Sequence, residues 1–588
     1  MASLPNQTPH QSGADCVKIP ASAHHLSKPM SSPKPRTGGE ILVDQLKIHG
    51  ADLAFCVPGE SYLPVLDALY ANRDQIRLIT CRHESGAANM AEAYGKMTGK
   101  PGICLVTRGP GATNASIGVH TAFQDSTPMI LFIGQVGSDF VEREAFQEID
   151  YRRMFGEMAK WVAQIDRADR IPEFIARAYQ VSMSGRKGPV VLALPEDMLS
   201  AVAAVEDARQ YQRIPIAPTC SDVERVAGLL AAAERPIVIA GGPGWDEHSC
   251  ADLLRFVEQQ QLPVTCAFRF QDLVDNRHPN YVGDVGIGIN PKLAARIKDA
   301  DLIIAIGPRL GEMTTSGYDV IKAPIPTQKL IHVHAGVSEL GRVYQADVMI
   351  NASMPEIAEA LAALPPTTNA SRTALVTAAK AEYATWQAQV TIPGDVQMWE
   401  VMQHLMAVLP RDAIFTNGAG NYATWLHRFY QYGGLRTQLA PTSGAMGYGV
   451  PAAIAAKAID PNRTVVAFAG DGCFLMTGQE LATAVQYQLN VIFVVVNNGM
   501  YGTIRMHQER HFPGNVYGTD LVNPDFAAYA RAFGAHGEVV VATREFAPAL
   551  ERARASGKPA LIEIRIDPQA ITPTTTLKAI RDATLKAG

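Results

Sequence analysis

Residues 464–498 read TVVAFAGDGCFLMTGQELATAVQYQLNVIFVVVNN. An apolar run opens the stretch and another closes it: VVAFA ends in Gly470-Asp471-Gly472, and VIFVVV ends in Asn497-Asn498. Uninterrupted, β-branched runs of about five or six residues are how parallel strands read when helices cover both of their faces. Asp471 and Asn498 are 27 residues apart, which leaves room for one strand–helix–strand unit with its helix over Gly478–Gln488. Both motifs then stand at the carboxyl ends of parallel strands, where open α/β sheets bind ligands. Taken singly, GDG and NNG are ordinary turn sequences. Together, a carboxylate and an amide oxygen suit a hard cation such as Mg²⁺, which combines a few protein oxygens with those of a phosphate ligand.

The same kind of run recurs on either side. Leu53–Val57, Ile76–Cys81, Gly102–Thr107, Pro128–Ile133 and Pro189–Leu194 form one set. Pro236–Ala240, Pro263–Ala267, Leu302–Ile306 and Lys329–Val333 form a second, and Ala413–Asn417 and Ala560–Ile566 join the opening stretch in a third. Amphipathic stretches such as Ser85–Thr98 lie between them. The expected class is α/β, built of three doubly wound parallel-sheet domains. Two proline-containing stretches, Arg209–Ser221 (RQYQRIPIAPTCS) and Leu364–Ser371 (LPPTTNAS), divide the chain. The expected organisation is a disordered N-terminal tail over 1–36, domains over 37–205, 220–365 and 372–570, and a C-terminal tail over 571–588.

Composition narrows the function. Lys and Arg number 52 against 57 Asp and Glu, a net charge of −5, so no basic excess exists to hold a phosphate backbone, and nucleic acid is excluded as the main partner. Charged residues are 19% and hydrophobic residues 47%, the balance of a large, well-buried globular protein with subunit interfaces. No apolar run approaches the roughly 18 residues of a membrane span. The eight cysteines (16, 56, 81, 104, 220, 250, 266, 473) contain no CxxC pair. They read as thiols of a reducing, cytoplasmic compartment.

GDG followed by NN at this distance resembles the signature of thiamine diphosphate (ThDP) enzymes, and further segments resemble the acetolactate synthases among them. Cys81-Arg82-His83-Glu84 before the helix SGAANMAEAYGKMTG is similar to that family's Arg-His-Glu segment. Gly109-Pro110-Gly111-Ala112-Thr113-Asn114 is similar to its glycine-rich loop, Ala145-Phe146-Gln147-Glu148 to its Ala-Phe-Gln-Glu segment, and Gly444–Pro451 (GAMGYGVP) to its cofactor-wedge segment. The resemblance covers nearly the whole chain after residue 37.

It implies roles residue by residue. The domains become pyrimidine-binding, central and diphosphate-binding. Glu84 matches the glutamate that bonds the pyrimidine N1′ and so promotes loss of the C2 proton. Asp471, Asn498 and the backbone carbonyl of Met500 match the Mg²⁺ ligands. Gly472 and Cys473 border the diphosphate, and Gly420, Asn421 and Tyr422 occupy a segment that contacts it in relatives, although the residue types differ. Met446 matches the wedge that bends the cofactor, and the Gly444 carbonyl matches the acceptor for its 4′-amino group. Phe123, Gln124, Phe146, Gln147 and Lys160 fall in segments that line the family's substrate channel. The family's site lies between two chains, which implies a homodimer or homotetramer.

Four departures bear on the reaction. Glu60 follows Pro58-Gly59 where acetolactate synthases have a small residue and 2-oxo acid decarboxylases a catalytic aspartate, so Glu60 is a candidate second carboxyl group beside the reacting carbon. The decarboxylases' histidine pair is replaced by Phe123-Gln124-Asp125-Ser126-Thr127, which favours carboligation over aldehyde release. The tryptophan that shapes the acceptor pocket is absent from Arg505-Met506-His507-Gln508. The Asp-Asp-Arg of FAD-binding relatives reads Gly311-Glu312-Met313, and His334-Ala335-Gly336-Val337 replaces their Asp-containing segment, so FAD is possible but not favoured. The expected activity is a ThDP- and Mg²⁺-dependent decarboxylating carboligase acting on a 2-oxo acid, with Glu84, Glu60 and Gln147 as its catalytic candidates. The alternatives are a non-ligating decarboxylase, a ThDP lyase with an acyl-CoA or diketone donor, and a non-catalytic regulatory subunit. A regulatory partner is not legible.

Overall fold

The structure, a computed structural model, describes residues 33–587. The expected tail over 1–36 and Cys16 therefore fall almost wholly outside the described residues. The first element among the described residues is Arg36–Thr37, paired antiparallel with Val202–Ala203. Thr37 caps the helix Gly38–Ile48, its hydroxyl accepting from the Glu40 amide while the Glu40 carboxylate takes the Thr37 amide at 2.7 Å. This reciprocal pairing satisfies two amides that a helix start leaves free.

Three six-stranded sheets, each parallel throughout and flanked by helices, make up the body. The first contains β1 (Leu53–Cys56), β2 (Arg77–Thr80), β3 (Gly102–Val106), β4 (Met129–Gln135), β5 (Trp161–Gln164) and β6 (Pro189–Pro195), in the order β2-β1-β3-β4-β6-β5. The central sheet contains β7 (Pro236–Ala240), β8 (Val264–Cys266), β9 (Tyr281–Asp284), β10 (Leu302–Ile306), β11 (Lys329–His334) and β12 (Val348–Asn351), in the order β9-β8-β7-β10-β11-β12. The third contains β13 (Ile414–Asn417), β14 (Gln438–Leu439), β15 (Val465–Gly470), β16 (Ile492–Asn497), β17 (His536–Val540) and β18 (Ala560–Arg565), in the order β14-β13-β15-β16-β18-β17. The first and third sheets are thus wound alike, whereas the central one has the order of dinucleotide-binding folds. Every strand run read from the sequence is present, with ends moved by a residue or two. Interior strands such as β4 and β6 are buried along their whole length, which is why they carry no polar alternation.

The expected boundaries shift in two places. The helix Ala370–Trp386 belongs to the central domain instead of opening the third at 372. Its Arg372 guanidinium donates to the carbonyls of Leu230, Ala233 and Gln260, Glu382 pairs with Arg296 at 2.6 Å, and Tyr383 meets Tyr281 edge-on at 5.3 Å. Residues 571–588, expected as a tail, include the helix Leu577–Ala587. Leu577 and Ile580 pack with Met506 and Ile571, and Arg581 pairs with Glu509.

The helices Glu84–Thr98 and Gly449–Ile459 press the first and third domains together. Both are alanine-rich, and one continuous apolar cluster runs from Phe55 and Ile79 through these helices to Phe493 and Leu561. The buried residues of the central domain's two clusters come from that domain alone.

Candidate active site

In the third domain, β13, β15 and β16 are neighbours, so the loops at their carboxyl ends meet. Asp471 begins the turn after β15 and is buried. Its Oδ2 accepts from the Gly499 amide at 3.0 Å and from Asn523 Nδ2 at 2.8 Å, and the Met500 amide donates to Asn498 Oδ1 at 3.2 Å. Leu521 donates to the Gly499 carbonyl, and Tyr501 to that of Thr519, which leaves the Met500 carbonyl outside the pairing. Burial pushes the Asp471 carboxyl up from its usual value against the hydrogen bonds it receives. Asn523 Oδ1 is buried beside it without a partner. Carboxylate, amide and carbonyl oxygens with one orphaned acceptor alongside are a donor set that fits a small hard cation. Only glycine fits next to Asp471: a Cβ on Gly472 would lie 2.6 Å from the Tyr501 ring.

The rest of this cradle is held from within. Tyr422 Oη accepts from the Gly418 amide at 3.0 Å and meets Cys473 Sγ at 3.1 Å; the same sulfur accepts from the Gly447 amide at 3.2 Å. The Tyr422 and Cys473 side chains are therefore engaged with each other and with the loops, not turned to a ligand. Asn421 is fixed by Thr503, whose hydroxyl accepts from its amide at 2.9 Å and donates to its Oδ1 at 3.0 Å. Gly420, Asn421 and Gly444 border a cavity of about 630 Å³ where the three domains meet, with His120 and Gln124 from the first domain and Phe268 from the central one. His427 also lines it; burial pushes its imidazole down to about 3, so it is neutral.

Buried charges fix the segment that carries Gly444 and Met446. Lys96 donates to the Ala440 carbonyl at 3.0 Å, Arg269 donates to the Pro441 carbonyl, and Asp125 accepts from the Thr442 amide at 2.9 Å and from its hydroxyl. Three successive residues are thus gripped by side chains of the first and central domains. Lys96 also pairs with Asp125 and with Glu92, the latter held by Tyr448 Oη and Thr127. One cation lies between the two buried carboxylates, and the hydroxyls of Tyr448, Thr127 and Thr442 supply the further bonds that keep such charges out of water. At the far end, Thr477 Oγ1 donates to the Gly447 carbonyl at 2.6 Å.

The first domain presents a second crevice at the carboxyl ends of β1, β2 and β3. Glu84 opens its helix, with His83 as the cap, and Oε2 accepts from Asn114 Nδ2 at 3.0 Å. The backbone leading to it is set by Glu480 of the third domain. That fully buried carboxylate accepts from the amides of Arg82 and His83 at 3.0 and 2.9 Å and from Thr483 at 2.6 Å. Glu60 stands in a 3₁₀ turn after β1, with its carboxylate 3.3 Å from Arg108. Gln147 sits at φ 65° with its backbone against Gly109, and Tyr151 Oη accepts from the Gly109 amide at 2.8 Å.

Among the described residues, no hydrogen bond joins Glu84 to Asp471, Asn498 or Met446. Lys160, read from the sequence as a channel residue, instead caps a helix end: its ammonium donates to the carbonyls of Val181 and Ser184. Phe123 lies under the Arg186 guanidinium at 5.0 Å. Sequence reasoning missed Glu480, Asn523, Arg269 and Arg108. Each acts on backbone or on a residue far away in sequence, and only Asn523, in an Asn-Pro-Asp turn, carries any local signal.

Models of one family match the chain in three places. The thiamine pyrophosphate enzyme N-terminal TPP binding domain matches residues 36–154, its central domain 223–361, and its C-terminal TPP binding domain 418–564. The acetolactate synthase large subunit of Corynebacterium glutamicum is 31% identical over 565 residues, spanning 92% of this chain and 88% of the relative. The acetolactate synthase isozyme 2 large subunit of Escherichia coli is 30% identical over 535 residues, spanning 90% and 95%. The acetolactate synthase large subunit of Lactococcus lactis is 31% identical over 522 residues, spanning 85% and 88%.

Proposed function

The chain belongs to the thiamine pyrophosphate enzyme family, and from that premise we propose that it is a ThDP- and Mg²⁺-dependent carboligase of acetolactate synthase type, acting on a 2-oxo acid as a dimer or tetramer. When bound, the cofactor supplies the carbon nucleophile that adds to the 2-oxo acid and the ring that takes up the electron pair as CO₂ departs. Asp471, Asn498 and the Met500 carbonyl hold the metal. Gly420, Asn421 and Gly472 line the diphosphate, with Tyr422 and Cys473 bracing the loops from behind. The Gly444 carbonyl and the Met446 side chain would lie against the bound cofactor, and the grip on residues 440–442 sets where both stand. Glu84 holds a proton at pyrimidine N1′, with Asn114 orienting its carboxylate. Glu60 and Gln147 are the polar groups on the substrate side.

The observation that carries this reading is the oxygen set of Asp471, Asn498 and the Met500 carbonyl, with the orphaned Asn523 acceptor beside it, at the carboxyl ends of a sheet wound like the one that carries Glu84. Among the described residues no hydrogen bond joins Glu84 to that set, and a second copy supplies the other half to each. Exposed apolar side chains near both crevices, Leu63 and Phe146 on one side and Leu475, Met476 and Ile504 on the other, suit such a covering. The relatives are named as large subunits, but every group assigned here lies on this chain. In the central domain, Arg309 is bonded to Glu339 at 3.1 Å and His334 to the backbone of Gly336. Decarboxylation followed by ligation has no net redox change, so no step is assigned to FAD.

The test is CO₂ release and product analysis with purified protein, ThDP, Mg²⁺ and a panel of 2-oxo acids beginning with pyruvate. Acetolactate or another hydroxyketone, abolished by Glu84→Gln, is expected. Free aldehyde alone would move the reading to a decarboxylase, and absence of CO₂ from every donor would overturn it.

A further inference from the structure

A second cavity, of about 90 Å³, borders Gln438–Ala440 and is walled by residues of all three domains. Its charges do not balance. Four cations line it, Lys96, Lys187, Arg269 and Arg436, against two carboxylates, Asp125 and Asp272. Both carboxylates are already taken. Asp125 pairs with Lys96 and accepts from the Thr442 amide, and Asp272 accepts from the amides of Thr437 and Gln438, both at 3.2 Å. Among the described residues, the Lys187 ammonium and the Arg436 guanidinium have no hydrogen-bond or ion-pair partner. Arg269 is 7% exposed; it reaches the Pro441 carbonyl, but its Nε is buried without a partner.

Each domain supplies one of these three cations. Lys187 lies two residues before β6, Arg269 follows β8, and Arg436 stands two residues before β14. Burial, then Arg213 and Arg436, push the Lys187 ammonium down to about 8, while Asp246 pulls it up. Arg269 and Arg436 both stand at φ 64°, which glycine adopts freely and arginine does not, so both side chains are placed here at a cost in backbone strain. Trp245, Phe270 and Leu435 add apolar wall, and in such surroundings a charge-assisted bond gains strength while an unpaired charge is costly. Guanidinium forks and an ammonium together suit the oxygens of an anion. The volume takes a few waters or one small ion and falls far short of the roughly 300 Å³ of a drug-sized ligand's pocket. We propose that this cavity binds a small doubly charged oxyanion of the phosphate or sulfate type, held jointly by Lys187, Arg269 and Arg436, which ties the three domains together. Neither Asp471, Asn498 nor Met500 lines it, so the site does not depend on the carboligase reading.

The test uses the full chain with ThDP and Mg²⁺ in excess, so that a diphosphate site is filled, and titrates sodium sulfate against sodium chloride at constant ionic strength. Wild-type protein is expected to bind sulfate saturably in calorimetry, with a thermal midpoint that rises as it does. Lys187→Gln and Arg436→Gln should each weaken binding about tenfold or more, the loss of one charge-assisted hydrogen bond. Lys298→Gln, which removes a lysine that pairs with Asp319 and does not line the cavity, should leave binding unchanged. In chloride alone, both cavity variants should melt no lower than wild type, because each relieves a repulsion instead of breaking a pair. Absence of saturable binding, or sulfate bound equally by wild type and both cavity variants, overturns the inference. So does a cavity variant that melts well below wild type in chloride, since its cation would then have its partner within the protein.

Discussion

At the carboxyl ends of the first sheet stand Glu60, Glu84 and Arg108; at the same ends of the third stand Asp471, Asn498 and the Gly418–Tyr422 loop. The two sheets share one strand order. One presents ionisable side chains, the other oxygens and small residues that suit a metal and a diphosphate. A common winding thus fixes where a site can form and leaves its chemistry to a few loop residues.

The sharpest way to break the comparison is to disable one side at a time. Glu84→Gln should cut turnover by about 10²–10⁴-fold while the protein still retains ThDP on gel filtration. Asp471→Ala should lose both. If each site draws Glu84 from one chain and Asp471 from the other, mixing the two inactive proteins should restore roughly a quarter of the activity, because half of the dimers are mixed and each of these has one intact site. Absence of any recovery after subunit exchange would place both halves in one chain.

Next in size is the charge cluster between the domains. Lys96→Met leaves Asp125 and Glu92 buried without their cation. The expected loss is about 3–5 kcal/mol in urea unfolding, and a loss below 1 kcal/mol would mean that the cluster rearranges freely. Smaller again is Glu480→Ala, which strips the amides of Arg82 and His83 of their acceptor, at about 1–3 kcal/mol. Gly86→Ala attacks the same contact from the other side, since its Cβ would lie 2.4 Å from Glu480 Oε1. Both should lower kcat more than they weaken ThDP binding; the reverse outcome would detach Glu480 from the placement of Glu84.

The smallest effect concerns the C-terminal helix. Hydrogen bonds from Arg581, joined by Arg505 and the Gly514 amide, hold the Glu509 carboxyl down to about 2. Its folded value lies below the unfolded one of about 4.3, so the stabilisation is present above that pH and fades as pH falls toward 2. Amide protection in Leu577–Ala587 should weaken over that window, and protection that stays flat down to pH 2 would refute the link.

The sequence marked the interior strands because burial on both faces leaves them uniformly apolar. It missed β5, β9, β12, β14 and β17, all at sheet edges, where one side lacks a neighbour and polar residues enter, as in His536–Val540. β14 is only two residues long and carries no pattern at all. Asp471 and Asn498 were legible because each follows directly on a strand, whereas Glu84 stands beyond Cys81-Arg82-His83 at the head of its helix and was read from the Arg-His-Glu resemblance. Glu480 and the Lys96–Asp125–Arg269 grip were not, because their partners are backbone atoms far away in sequence. The proline-rich segment 364–371 marked a break in the chain, but not the side on which the following helix packs.

The shared apolar cluster also sets how the molecule comes apart. Because Phe55 and Phe493 lie in one core while the central domain keeps its own, the chain has two cooperative units instead of three. Calorimetry of the cofactor-free protein would resolve two transitions. The outer pair must melt together, whereas the middle domain has its own core and meets them through polar ties such as Arg269 to Pro441 and Gln271 to Gln438.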